Sequence, residues 1–252
     1  MINLRATLIA AVLGLASILP AAAQAPDAER ARIEGIVRDY LLNNPEILRE
    51  MASRLSAKDK ASEDKARVGV FGEYRDKIYN SKRQVVLGNP KGDVTLVEFF
   101  DYNCGYCRRA LSDTEVLLKS DPKLRVVLKE MPVLGEGSHD TARVAVALHA
   151  QAPEKYLQFH REMLGSDKQA DGQAALDVAK KLGLDMNKLA EGLADPEVDA
   201  TLLEVHELAQ KLNIEGTPTY VIGDQVVPGA VGVANLKEII GNVRSCGKAT
   251  CS

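Results

Sequence analysis

Two cysteines, Cys104 and Cys107, stand three apart in "VEFFDYNCGYCRRA" (97–110), between an apolar, aromatic-rich run and a stretch that reads as a helix. A pair of thiols at that spacing can hold a metal, staple a loop or exchange electrons. On a helix start, the first sulfur lies at the open amino-terminal end and the second lies one turn inside. Unpaired amides and the helix dipole favour an anion there, so Cys104 should lose its proton more easily than a free cysteine. The thiolate is the attacking species. Cys104 therefore reads as the nucleophile and the inner Cys107 as the resolving thiol, with Gly105 and Tyr106 as the dipeptide between them. Arg108 and Arg109 add positive charge in the first turn, an effect that is modest and screened on a surface. Zinc would require Cys246 and Cys251 as a second pair on a folded-back tail. Soft thiolates also suit Cu(I).

Other reactive types say less. Cys246 and Cys251 are five apart in a polar tail; a small local disulfide is the first reading and a metal-binding or regulatory thiol pair the second. His139, His149, His160 and His206 have no ligand spacing and read as packing or surface residues. Gly216-Thr217-Pro218-Thr219 opens a strand about 110 residues after the cysteine pair. Proline at the head of a central strand breaks the usual pattern unless its bond is special.

The elements that must position these residues follow from periodicity. "VVLGNPKGD" is a strand and turn, "VTLVEFF" (94–100) a buried strand, Cys104 to about Ser120 a helix and "LRVVLKEMPV" (124–133) the next strand. Strand, helix, strand with short connections is a parallel crossover unit. Residues 138–213 read as helices throughout; "TYVIGDQVVPG" gives two strands around Gly223-Asp224, and "VANLKEIIGNVRS" a closing helix. The expected fold is α/β: a core spanning 84–252, interrupted by an all-helical insert at about 138–213.

Before that core, the chain begins with Arg5, an apolar stretch from about Leu8 to Leu19 and small residues at Ala21-Ala22-Ala23, the layout of a secretory signal cut after about Ala23. The apolar stretch is shorter than the roughly 20 residues of a spanning helix. Loss of Arg5 takes the formal charge from −3 to −4, and no basic block points to nucleic acid. Ile33, Ile36, Val37, Tyr40 and Leu41 form one helical face, Asn44-Pro45 breaks the helix, and Ile47, Leu48, Met51 and Leu55 continue in a second. Residues 24–55 thus form a helical segment whose apolar stripe needs a partner, read as a second copy of the chain. In 56–83, "SAKDKASEDKAR" is a solvated helix or flexible linker, followed by Val70, Phe71, Tyr74 and Ile78 on a docking helix.

Taken together, "VEFFDYNCGYC" and the Thr-Pro strand resemble the DsbA-like thiol-disulfide oxidoreductases, thioredoxin-fold proteins with an inserted helical domain; the resemblance covers roughly 84–245. It implies a cis proline at Pro218 beside the cysteines, with Thr217 offering backbone hydrogen bonds to a substrate chain. It also implies Glu98 on a buried acid position with Lys129 as its partner across the sheet, tuning protons for Cys107. Gly-Tyr departs from the Pro-His of strong oxidants. Together with Thr217 and "IEGIVRDYLLNNPEILREM" (33–51), it resembles the ScsC/Com1-like branch of periplasmic disulfide isomerases. That resemblance implies exported cysteine-containing polypeptides as substrates, a membrane redox partner, self-association as a dimer or trimer, and a redox-active disulfide with no further cofactor and no metal. A net dithiol oxidase and a copper-binding resistance factor are the alternatives.

Overall fold

The computed structural model describes residues 25–251; the signal-peptide reading at 1–23 lies outside them. The chain divides into two compact units, the first ending at Ser62 and the second beginning at Glu63.

In the first unit, α1 (Ala25–Asn43) stops at Asn44-Pro45, where Asn44 Nδ2 donates to the Tyr40 carbonyl (2.8 Å), and α2 (Glu46–Glu73), which runs on past Ser62, follows. Residues 56–67, the charged spacer, lie inside α2. Ile33, Ile36, Val37, Tyr40, Leu48, Met51 and Leu55 are all at least half exposed. Full burial of side chains of this size is worth about 1.5–3 kcal/mol each, so this stripe is a large unsatisfied apolar surface on a short helical pair.

The second unit is built on a five-stranded sheet in the order β1 (Val85–Gly88), β3 (Leu124–Glu130), β2 (Val94–Phe100), β4 (Thr219–Ile222), β5 (Gln225–Pro228). β2 and β3 are parallel and the other neighbours antiparallel. Because side chains alternate along a strand, each central strand feeds two cores. Leu96, Phe100, Val126, Leu128 and Tyr220 face one, which α4 (Gly105–Ser120), α5 (Glu136–Gln151), α6 (Tyr156–Gly165) and α10 (Val233–Cys246) complete. Val97, Phe99, Val127 and Val221 face the other, closed by Ile78 of α3 (Arg75–Tyr79) and by Val205 and Leu208 of α9 (Pro196–Lys211). Val70 and Phe71, near the end of α2, and Tyr74, the residue before α3, also pack on that second core, so the docking residues expected on one helix are divided between two.

The insert is helical but punctuated. After α5 a single 3₁₀ turn at Pro153–Lys155 leads to α6, and α7 (Gly172–Lys181) and α8 (Met186–Leu193) precede α9. Asp171, Asp185 and Asp195 cap α7, α8 and α9, each accepting from backbone N–H groups of the first turn. β3 ends at Glu130 rather than 133: Met131 N still bonds the Phe100 carbonyl (2.8 Å), but Pro132 has no N–H to continue the ladder.

Candidate active site

The apolar run of β2 ends at Phe100, and Asp101 to Cys104 turn the chain into α4. Cys104 is the N-cap of α4; its Sγ accepts from the Cys107 N–H at 3.3 Å, while its own N–H donates to the Asp101 carbonyl (3.1 Å). Both cysteines are free thiols; Cys104 is 8 % exposed and Cys107 fully buried. The Thr217-Pro218 peptide is cis, and the Thr217 carbonyl accepts from Cys104 Sγ at 3.2 Å. The two motifs, 113 residues apart in sequence, therefore meet at one sulfur.

Cys104 is lowered from the ordinary thiol value of about 9 to about 6. The hydrogen bond with the Cys107 side chain is the largest cause, and the N–H groups of Cys107 and Tyr106 add to it, against burial. Cys107 moves the other way, pushed up by its bond to Cys104 and by burial. The pair thus separates into an acidic outer thiol and an inner thiol that holds its proton. The first-turn arginines are otherwise engaged: Arg108 pairs with Asp167 (2.9 Å) and bonds the Ser166 carbonyl, and Arg109 lies 4.4 Å over the Tyr106 ring.

Glu98 and Lys129 are not partners. In the parallel register Glu98 stands beside Leu128 and Lys129 beside Phe99, so the two side chains point to opposite faces of the sheet. The alternation of a strand forbids the contact that the resemblance implied. Lys129 Nζ donates instead to the Lys77 carbonyl (2.7 Å), fastening α3, and burial lowers it to about 8. Glu98 lies on the cysteine side, where burial raises it to about 7; Thr114 Oγ1 donates to it at 3.0 Å, and negative charge on Asp113 and Cys104 further opposes its ionisation. Its neighbour across the antiparallel ladder is Tyr220, whose buried hydroxyl has no hydrogen-bond partner among the described residues.

Beside Pro218 runs a groove of about 1060 Å³ with Tyr106, Ile214, Gly216, Thr217 and Val226 in its lining. At the far end of the chain, Cys246 and Cys251 form a disulfide with each other. Of the histidines, His160 is buried against Phe100 and lowered to about 3 by burial. Among the described residues, no group of three or more His, Cys, Asp or Glu side chains is placed to hold a metal ion.

Several residues that shape the site went unread in the sequence. Asp101, Asn103 and Glu130 are engaged by partners 26 to 67 residues away. The only local signal was an acid, Asp101, directly at the end of an apolar strand.

A thioredoxin-type sheet carrying a C-x-x-C at a helix start, opposite a cis proline and interrupted by a helical insert, defines a thiol-disulfide oxidoreductase. The model of the DSBA-like thioredoxin domain matches residues 95–241, and that of the copper resistance protein ScsC N-terminal domain matches residues 29–62. The chain belongs to the DsbA-like thioredoxin family. It is 31% identical over 175 residues to disulfide bond formation protein D of Bacillus subtilis, covering 63% of this chain and 76% of that one. A thioredoxin-like oxidoreductase from Silicibacter pomeroyi DSS-3 is 43% identical with TM-score 0.65, over 68% of this chain and 98% of that one. Proteus mirabilis ScsC in a transitional conformation is 31% identical with TM-score 0.65, over 86% of this chain and 96% of that one.

Proposed function

We propose that this oxidoreductase is a periplasmic disulfide isomerase that works as an oligomer on exported, cysteine-containing polypeptides. The observation that carries the reading is the exposed apolar stripe of Ile33, Ile36, Val37, Tyr40, Leu48, Met51 and Leu55, in the segment matched by the ScsC N-terminal domain. Joining copies through that stripe would set several thiol sites around one client, which gives grip and reach together. The apolar leader at residues 8–19 supports export, with loss of residues 1–23.

In the proposed cycle the Cys104 thiolate attacks one sulfur of a client disulfide. That S–S bond breaks, a Cys104–client disulfide forms, and the other client sulfur leaves as a thiolate. Isomerisation follows when this thiolate attacks a second client disulfide and the sulfur freed there displaces Cys104, with no net change in electrons. If the client stalls, Cys107 passes its proton to the carboxylate of Glu98 and attacks Cys104. The client then leaves reduced and Cys104–Cys107 is oxidised, to be reset by a membrane redox partner. The groove beside Thr217 and Pro218 holds the client chain, with the backbone of Thr217 as its hydrogen-bonding edge.

The test is refolding of a scrambled multi-disulfide protein by the full chain and by a chain beginning at Glu63, which retains the residues that pack on the second core. The reading requires the shorter chain to be monomeric and to lose most of its isomerase activity while still reacting with small disulfides. Equal isomerase activity from both chains would remove the role of the amino-terminal segment. The copper-resistance description of the matched amino-terminal domain favours a second reading, in which Cys104 and Cys107 bind Cu(I). Stoichiometric copper retained by the full chain and lost in Cys104→Ser, with no activity on the scrambled protein, would select it.

A further inference from the structure

The three residues before Cys104 each reach away from the catalytic turn into the helical insert or its root. Asp101 is buried, and its carboxylate accepts four bonds: Oδ1 from Asn103 N and Ser138 Oγ (both 2.7 Å), Oδ2 from Val133 N (2.8 Å) and Leu134 N (3.0 Å). The Tyr102 hydroxyl donates to Glu130 (3.3 Å) and lies 3.4 Å from both Tyr156 Oη and His160 Nδ1 on α6. Asn103 Nδ2 donates to Ser138 Oγ and to the Ala170 carbonyl (both 2.9 Å), and its Oδ1 accepts from Ala170 N (2.7 Å). The segment before α7 is held a second time beyond the cysteines, where Arg108 grips Ser166 and Asp167.

Ser138, in the first turn of α5, is the shared node: one hydroxyl donates to Asp101 and accepts from Asn103. Next to it, a Cβ on Gly137 would lie 2.6 Å from the Ala170 carbonyl, so α5 and the pre-α7 segment touch there and only glycine leaves room. The two anchors of the catalytic turn are thus one packed unit of the insert. We propose that Ser138 is a positioning residue which, through Asp101 and Asn103, makes the placement of Cys104 Sγ at the α4 amino terminus depend on the helical insert. This rests on Cys104 being the nucleophile. None of the groups that react in the proposed cycle, Cys104, Cys107 and Glu98, belongs to the insert; the clamp fixes where the sulfur sits against the Cys107 N–H, and an error of 1 Å in such a placement costs about a hundredfold.

The experiment follows Cys104 alkylation across pH in the full chain, wild type against Ser138→Ala, Asn103→Ala and the double variant, with thermal unfolding and the equilibrium against glutathione measured beside it. Ser138→Ala is expected to stay folded, to raise the Cys104 midpoint by about half a unit or more and to shift the glutathione equilibrium about threefold. Because both substitutions release the same clamp, the double variant should shift no further than the larger single one. A folded Ser138→Ala with the wild-type midpoint overturns the proposal, and so do two shifts that simply add. Should Ser138→Ala fail to fold, Asn103→Ala at its half-buried position decides alone by the same midpoint. A wild-type midpoint at the ordinary thiol value would overturn the nucleophile reading instead, so the two failures are distinguishable.

Discussion

Replacing Cys107 by alanine tests where the acidity of Cys104 comes from. With its midpoint at about 6, Cys104 is roughly nine-tenths thiolate at pH 7, against about one-hundredth for a thiol at 9. That gain of about 90-fold is partly offset, because nucleophilicity falls with basicity at a Brønsted slope of about 0.45, or roughly 20-fold over three units. The net advantage in attack at pH 7 is about fourfold. Cys107→Ala removes the largest cause of the lowering, a hydrogen bond to a charged group worth about 1.5–3 kcal/mol, which corresponds to roughly one to two units. The backbone N–H at position 107 and that of Tyr106 remain. The variant midpoint should therefore sit at about 7 to 8, above the wild type and below an unstructured thiol. Iodoacetamide alkylation followed by mass, from about pH 4 to about pH 10, brackets both midpoints. A wild-type midpoint near 9, or a Cys107→Ala midpoint unchanged from wild type, would refute this account of the site.

The reduced protein also carries a stability signature. Cys104 is depressed in the fold, so between about pH 6 and 9 the unfolded chain binds a proton that the folded chain does not, and stability rises with pH across that window. Chemical denaturation of the reduced protein at stepped pH measures it. Glu98 acts in the opposite sense: raised to about 7, it keeps a proton that the unfolded chain releases above about 4.5, so stability falls as pH rises from 4.5 to 7. Glu98→Gln should flatten that part of the profile and lengthen the life of a trapped Cys104 mixed disulfide about tenfold or more. Lys129→Met should leave the alkylation midpoint of Cys104 unchanged, because the side chain lies on the opposite face of the sheet; a shift of half a unit, about threefold in thiolate, would contradict that geometry. Ile36→Glu with Tyr40→Glu should convert the proposed oligomer to monomer in light scattering while alkylation stays as in the wild type, and a wild-type chain already monomeric would refute the assembly.

The catalytic pair was legible because its logic is local: spacing, a strand before it and a helix after it place Cys104 at an N-cap without reference to any distant residue. The nearly continuous apolar run at 94–100 likewise marked a buried strand, though not which side chain takes which face. What the sequence hid was pairing across distance. Glu98 and Lys129 were assigned to each other by type and by resemblance, yet face is decided by register, and parallel pairing sets Glu98 beside Leu128. The clamp on Asp101 and Asn103 was invisible for the same reason, since Ser138 and Ala170 become neighbours only once α5 and α7 are packed. Pro132 did carry the end of β3 in its own chemistry, and reading the run as apolar alone to 133 overlooked the missing N–H.

The acidity of Cys104 bears on the direction of the reaction. Stabilising a thiolate stabilises the dithiol over the disulfide, by up to about 1.4 kcal/mol per unit for a dry site and less for a sulfur that water partly reaches. The Cys104–Cys107 disulfide is therefore more oxidising than it would be with Cys104 at the ordinary thiol value. Shuffling needs the dithiol to be present before the client arrives, and to outlast the visit without Cys107 closing on Cys104. The fold contributes to the second requirement through burial: Cys107 is fully enclosed, and burial opposes loss of its proton even when Cys104 is tied to the client and the bond that raises it in the free dithiol is gone. The first requirement lies outside the site: it falls to the partner that supplies electrons, and to whatever keeps an oxidising partner from docking. The proposed joining of copies through the apolar stripe would meet that need sterically, by leaving room for an unfolded chain between the sites and none for a bulky oxidase. Cutting the chain before Glu63 should therefore do more than weaken the proposed isomerisation: the same cysteines should become a better substrate for an oxidase.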